Sequence, residues 1–95
     1  MRIISRKALR EFVERHPQAK GSLDAWYHTA RHARWASLVD VRAVYPHADL
    51  VGDLTIFNIS GNKYRLSVVI RYRSQTIFIT RIETHPEYDK RKKQK

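Results

Sequence analysis

Thr84-His85-Pro86-Glu87-Tyr88-Asp89-Lys90 places an imidazole, a phenol, two carboxylates and an ammonium within seven residues. Such groups can take a proton from one oxygen and return it to another around a phosphate, without a metal. Histidine titrates near neutrality and can serve either end of that exchange. His85 and Tyr88 are three apart and share a face if Pro86 opens a helical turn. The same residues also spell a helix start, with Thr84 or His85 near the cap, Pro86 in the first turn and Glu87 facing the positive end of the dipole. In isolation the heptapeptide fits a cap and a reactive site equally well.

The remaining titratable residues are less suggestive. His16, His28, His32 and His47 read as surface or helix-end residues. His28 and His32 have the i, i+4 spacing of a metal pair, but no third ligand lies nearby in sequence, so no metal site is expected. A two-metal nuclease needs clustered acids, and the nine carboxylates are scattered. There is no phosphate-binding Gly-rich loop and no nucleophile elbow, and no cofactor is expected.

The elements that must position the heptapeptide change period midway. Residues 5–16 carry a helical stripe of Ala8, Leu9, Phe12 and Val13, with Ser5 as N-cap, ending before Pro17. Gly21-Ser22 starts a second helix, capped by Ser22, whose face is Leu23, Trp26, Tyr27, Ala30 and Ala33. Ser37-x-x-Asp40 resembles a capping box and opens a third helix over Leu38 to Val44. Arg2 to Ile4 is a short strand candidate. Leu54 to Ile59, Lys63 to Arg73 and Thr76 to Thr84 then read as strands, with turns at Gly61-Asn62 and Ser74-Gln75. The expectation is α+β: N-terminal helices on a three- to four-stranded, mainly antiparallel sheet, then a short C-terminal helical turn. Residues 1–95 read as one domain, and residues 90–95 as a disordered basic tail.

One strand sorts its charges. Tyr64, Leu66, Val68, Ile70 and Tyr72 alternate with Lys63, Arg65, Ser67, Val69, Arg71 and Arg73. The first set suits a core. The second leaves three arginines and a lysine on an open face, with no acid among them. The Gly61-Asn62 turn pairs Ile59 with Tyr64, Asn58 with Arg65 and Phe57 with Leu66, so Asn58 joins the cations. The next strand sorts less well: a two-residue Ser74-Gln75 turn puts Phe78 and Ile82 on the basic face, so either the loop is longer than two residues or aromatic and apolar groups sit among the cations. The polar side of a half-exposed sheet is ordinarily charged, yet unbalanced cations repel one another unless an anion visits them. An RNA or phosphate surface follows. Metal-free RNA cleavage would need a base for the 2′-hydroxyl, cations for the phosphorane and an acid for the leaving oxygen.

Composition agrees. The 95 residues hold 19 Lys and Arg against 9 Asp and Glu, a net charge of +10. Such a balance suits a polyanionic partner. No apolar run reaches the roughly 20 residues that cross a bilayer. Met1-Arg2-Ile3-Ile4-Ser5-Arg6 has no apolar h-region, so no signal peptide is expected. There is no cysteine, which suits the cytoplasm.

With these residues in hand, the chain resembles the HigB family of type II toxins within the RelE-like group. The resemblance rests on Ile3 to Leu9, the helix start near Pro17, Asp40 to Pro46, Phe57 to Leu66 and Thr84 to Lys90. Asn-x-x-Gly-Asn-x-x-Arg-Leu and Thr-His-x-Glu-Tyr-Asp are its more specific patterns. It implies a compact RelE-like fold, metal-independent cleavage of mRNA on the ribosome, inhibition of translation and a HigA-like antitoxin. Asn58, Arg65, His85 and Tyr88 fall in matching motifs. His85, Tyr88 and Arg65 are the expected catalytic residues. Asn58, Asn62, Lys63, Arg71, Arg73 and Lys90 are the expected RNA-binding set. Two other readings remain: a non-catalytic module of the double-stranded-RNA-binding or ribosome-associated type, and an interaction protein whose basic face meets an acidic partner.

Overall fold

The computed structural model describes residues 1–93. In chain order it holds β1 (Arg2–Ile4), α1 (Lys7–Arg15), a 3-10 turn (Pro17–Ala19), α2 (Lys20–His32), α3 (Leu38–Val44), β2 (Asp49–Val51), β3 (Leu54–Ile59), β4 (Tyr64–Arg71), β5 (Thr76–Thr84) and α4 (His85–Lys93). The fold is α+β, as the change of period predicts. The sheet has five strands in the order β1-β5-β4-β3-β2, not the three or four expected. β1 runs parallel to β5 and the other pairs are antiparallel, so the sheet is mixed.

The strand that the sequence pattern does not predict is β2. It reaches β3 through Gly52-Asp53, where Gly52 takes φ +62°, a conformation only glycine adopts without strain. The core lies where α1 and α2 cover one face of the sheet. Leu9, Phe12, Leu23, Trp26 and Ala30 meet Phe57, Leu66, Val68 and Ile77, all buried. Trp26 packs edge-on against Phe57 at 5.4 Å between ring centroids. The helical period therefore identifies the buried faces correctly.

Helix ends depart from expectation in three places. The N-cap of α1 is Arg6 and not Ser5, although Ser5 Oγ still accepts from the Lys7 N–H at 3.1 Å. α2 starts at Lys20, because the turn at Pro17 feeds straight into it, so Ser22 lies inside the helix. Its hydroxyl accepts a hydrogen bond from Ser60 Oγ at 2.7 Å and ties α2 to the β3–β4 turn. α3 spans the predicted residues, but Ser37 makes no side-chain cap bond; the Asp40 carboxylate instead accepts from the Ala36 N–H at 2.8 Å.

The β3–β4 register is the predicted one: Phe57 opposite Leu66, Asn58 opposite Arg65, Ile59 opposite Tyr64. The β4–β5 turn is not at Ser74-Gln75. It centres on Arg73-Ser74, since Arg71 pairs with Thr76 and the Gln75 N–H reaches the Tyr72 carbonyl at 3.2 Å. Farther on, Ser67 pairs with Arg81 but Val68 with Ile79, so Thr80 is a bulge residue without a partner. The bulge explains the poorly sorted strand. Ile82 joins the core, Arg81 and Glu83 turn to the open face, and Phe78 stays there, 39% exposed. The face is thus not free of acid, for Glu83 stands opposite Arg65. Residues 90–93, expected in a disordered tail, continue α4; residues 94 and 95 lie outside the described residues.

Candidate active site

The site forms where β4 begins, β5 ends and α4 departs. Two registers converge there: Asn58 of β3 and Glu83 of β5 both stand opposite Arg65. α4 follows β5 without a loop and is fixed at its start by a reciprocal capping box. Thr84 donates from its N–H (2.9 Å) and its hydroxyl (3.0 Å) to Glu87 Oε1, and the Glu87 N–H reaches Thr84 Oγ1 at 3.3 Å. Those bonds, from the backbone first, lower the Glu87 pKa below the ordinary carboxylate value, with His16 and Arg15 adding to the effect. The His85 N–H donates to the Lys63 carbonyl at 2.8 Å, which pins the helix start to the β3–β4 turn. So the residues of the heptapeptide are a cap and a cluster of reactive groups at once.

One turn into α4, His85 Nδ1 lies 3.0 Å from Asp89 Oδ2. With Nδ1–H donating to that carboxylate, Nε2 is left for another partner. Two guanidiniums lie against Tyr88, with the Arg65 carbon 5.7 Å and the Arg91 carbon 5.4 Å from its ring centroid. Arg91 donates through Nε (3.0 Å) and Nη2 (2.8 Å) to the two oxygens of Glu83, and this hydrogen bonding raises its own pKa. Arg65 Nη1 is buried without a hydrogen-bond partner among the described residues.

A cleft of about 640 Å³ opens beside this group, lined by Arg42, His47, Asn58, Arg65, Tyr88 and Asp89 among others. A neighbouring cleft of about 540 Å³ shares His47 and Asn58 and reaches Asn62 in the β3–β4 turn. Asn58, Arg65, Tyr88 and Asp89 therefore meet, with His85 joined through Asp89. Lys63 and Lys90 are exposed nearby, in the turn and on α4.

Two expected members are elsewhere. Arg71 shares the face of Arg65 but lies six residues along β4, about 20 Å away at strand rise. Arg73 sits in the β4–β5 turn and lines a separate cleft of about 940 Å³ with Arg31, Arg34 and Trp35. Neither can share one phosphate with Arg65. Arg42 and His47 are additions that sequence reasoning does not assign to the site. Arg42 is held by an Nε–H bond to the Ala48 carbonyl at 2.9 Å. Arg42 falls within Asp40 to Pro46, a segment that carries resemblance but no evident chemistry, and His47 directly follows it. The His28 and His32 rings lie 4.5 Å apart, tilted by 45°, and among the described residues no three side chains gather as metal ligands.

Known proteins give the comparison. The family model for HigB toxins, described as the RelE-like toxic component of a toxin-antitoxin system, matches residues 19–91. The chain is 33% identical over 92 residues to the mRNA interferase toxin HigB of Escherichia coli K12, covering 94% of this chain and 88% of that one. The mRNA interferase HigB of Shigella flexneri is similar to the same extent. A HigB of Escherichia coli O6:H1 is 24% identical over 93 residues, covering 95% of this chain and 90% of its own.

Proposed function

The chain belongs to the HigB family of RelE-like toxins, and from that premise we propose that it is an endoribonuclease that cuts mRNA by acid–base catalysis and so arrests translation. The observation that carries the chemistry is the Arg65–Tyr88 contact at 5.7 Å beside a His85 ring held by Asp89 at 3.0 Å. In the proposed step His85 Nε2 takes the proton of the ribose 2′-hydroxyl, and the 2′-oxygen attacks phosphorus. The bond to the 5′-oxygen breaks as that oxygen receives the phenolic proton of Tyr88. The products are a 2′,3′-cyclic phosphate and a 5′-hydroxyl. Arg65 stabilises the phosphorane with fixed charge and paired donors, and Asn58, its neighbour across β3–β4, holds the flanking RNA. Asn62, Lys63 and Lys90 meet adjacent phosphates. Arg71 and Arg73 meet RNA well away from the bond that breaks.

Family membership also supplies an antitoxin partner, and expression of the toxin without it should arrest growth. On this reading the mRNA is cut on the ribosome, in the cytoplasm. Among the described residues no helix is long and apolar enough to cross a membrane. Labelled mRNA, free or on translating ribosomes, should be cut by the parent. His85→Ala and Arg65→Ala should each slow cutting by roughly 10² to 10⁴-fold, the usual worth of a proton-transfer group or an oxyanion donor. RNA that is bound but left intact by the parent would return the protein to the binding-module reading, and two variants as active as the parent would remove the site.

A further inference from the structure

Arg65 and Glu83 stand directly opposite each other on one face of the β4–β5 pair. Opposite charges so placed ordinarily form a cross-strand ion pair. Here they do not. Both Glu83 oxygens are taken by Arg91 from α4, at 2.8 and 3.0 Å, while no carboxylate among the described residues lies within ion-pair distance of Arg65. Glu83 is well covered, its side chain 14% exposed, so its charge cannot be left to water and needs a cation beside it. Two arginines are in reach, and both lie against the Tyr88 ring.

We propose that Arg91 is a positioning residue that occupies Glu83 and thereby keeps the Arg65 guanidinium vacant for the RNA phosphate. The proposal rests on the role given to Arg65 above. The fork of Arg91 matches both carboxylate oxygens, and a lysine offers only a point charge there. Without Arg91, Glu83 turns to its cross-strand neighbour, and the substrate phosphate must then compete with a carboxylate already bound. Glu83 therefore acts as a latent inhibitor inside the site, and α4 disarms it only when docked.

The test is a double-mutant cycle on the full-length protein, read as cleavage of labelled mRNA on translating ribosomes. Arg91→Met should cut roughly tenfold or more slowly, chiefly through a higher KM, as expected when a phosphate contact is blocked. Glu83→Gln should cut at about the parent rate. The double variant Glu83→Gln/Arg91→Met should recover to within roughly threefold of the parent. A role for Arg91 as a mere bolt on α4 predicts the reverse, because the double variant still lacks the bolt. In Arg91→Met, the Arg65 Nε–H resonance should move to a carboxylate-bound position, and Glu83→Gln should move it back; this readout holds whatever the RNA does. Arg91→Met as active as the parent, or a double variant as slow as Arg91→Met, overturns the inference. If Arg65→Ala itself cuts normally, the reading of Arg65 fails and the inference goes with it; a dead Arg65→Ala beside an active Arg91→Met sinks the inference alone.

Discussion

At the scale of single residues, the site depends on which atoms are already engaged. Asp89 touches His85 and, on the proposed mechanism, never touches RNA. Asp89→Asn should therefore lower kcat by roughly ten- to a hundredfold through a misaligned or wrong tautomer and leave KM nearly unchanged, in steady-state cleavage assays. Glu87 works differently. Its pKa is lowered by the capping box, so its ionised form favours the fold. That contribution is complete above the ordinary value of 4.5 and fades as pH falls through the lower folded value. The melting-temperature gap between the parent and Glu87→Gln should be widest near neutral pH and close in acid. Thr84→Ala should cost about 0.5 to 2 kcal/mol by thermal or denaturant unfolding, the usual worth of an N-cap. The pairing of Asn58 with Arg65 is legible in the sequence because turn and alternation agree, and the helix that carries His85 and Tyr88 is legible from Thr84, Pro86 and Glu87. The Arg91–Glu83 pair is not, since it joins a helix to a strand whose register a turn at Ser74-Gln75 would misplace.

At the scale of elements, β5 breaks its own alternation. Its core-facing residues run Ile77, Ile79, then Ile82, a change from odd to even made by the bulge at Thr80, while Phe78 between them blurs the pattern in the sequence. Removing Thr80 leaves Ile79 and Ile82 on the core side and Arg81 and Glu83 on the open side. The deletion should thus fold with nearly the parent melting temperature. It should nevertheless cut more slowly, since loss of the bulge changes the twist that aims α4 at Arg65. Equal activity in the deletion variant would show that the bulge does not set the site. The core behaves in the opposite sense. Phe12 is fully buried against Tyr64 at 5.3 Å, and Phe12→Ala should lose about 3 to 5 kcal/mol in denaturant unfolding. The helical faces are legible from their period. β2 is not: three residues joined by Gly52-Asp53 carry too little alternation to distinguish a strand from a loop.

At the scale of the whole molecule, the net charge of +10 is spread over separate surfaces and not held in one. One lies at the Arg65–Tyr88 end of the sheet, and another surrounds Arg73 with Arg31 and Arg34 at the other. Affinity for single-stranded RNA should fall steeply with salt, by a slope of about 0.7 per phosphate engaged, and Arg73→Ala should flatten it without slowing the bound-state cut. The topology has a different kind of consequence. Arg2 pairs with Thr76 and Ile4 with Phe78, so the first strand docks on almost the last one. During synthesis the opening residues have no sheet to join until β5 has been made, and α4 comes later still. Partly made copies therefore lack both the β1–β5 pairing and the helix that bears His85, and on the proposed mechanism they cannot cut until both are in place.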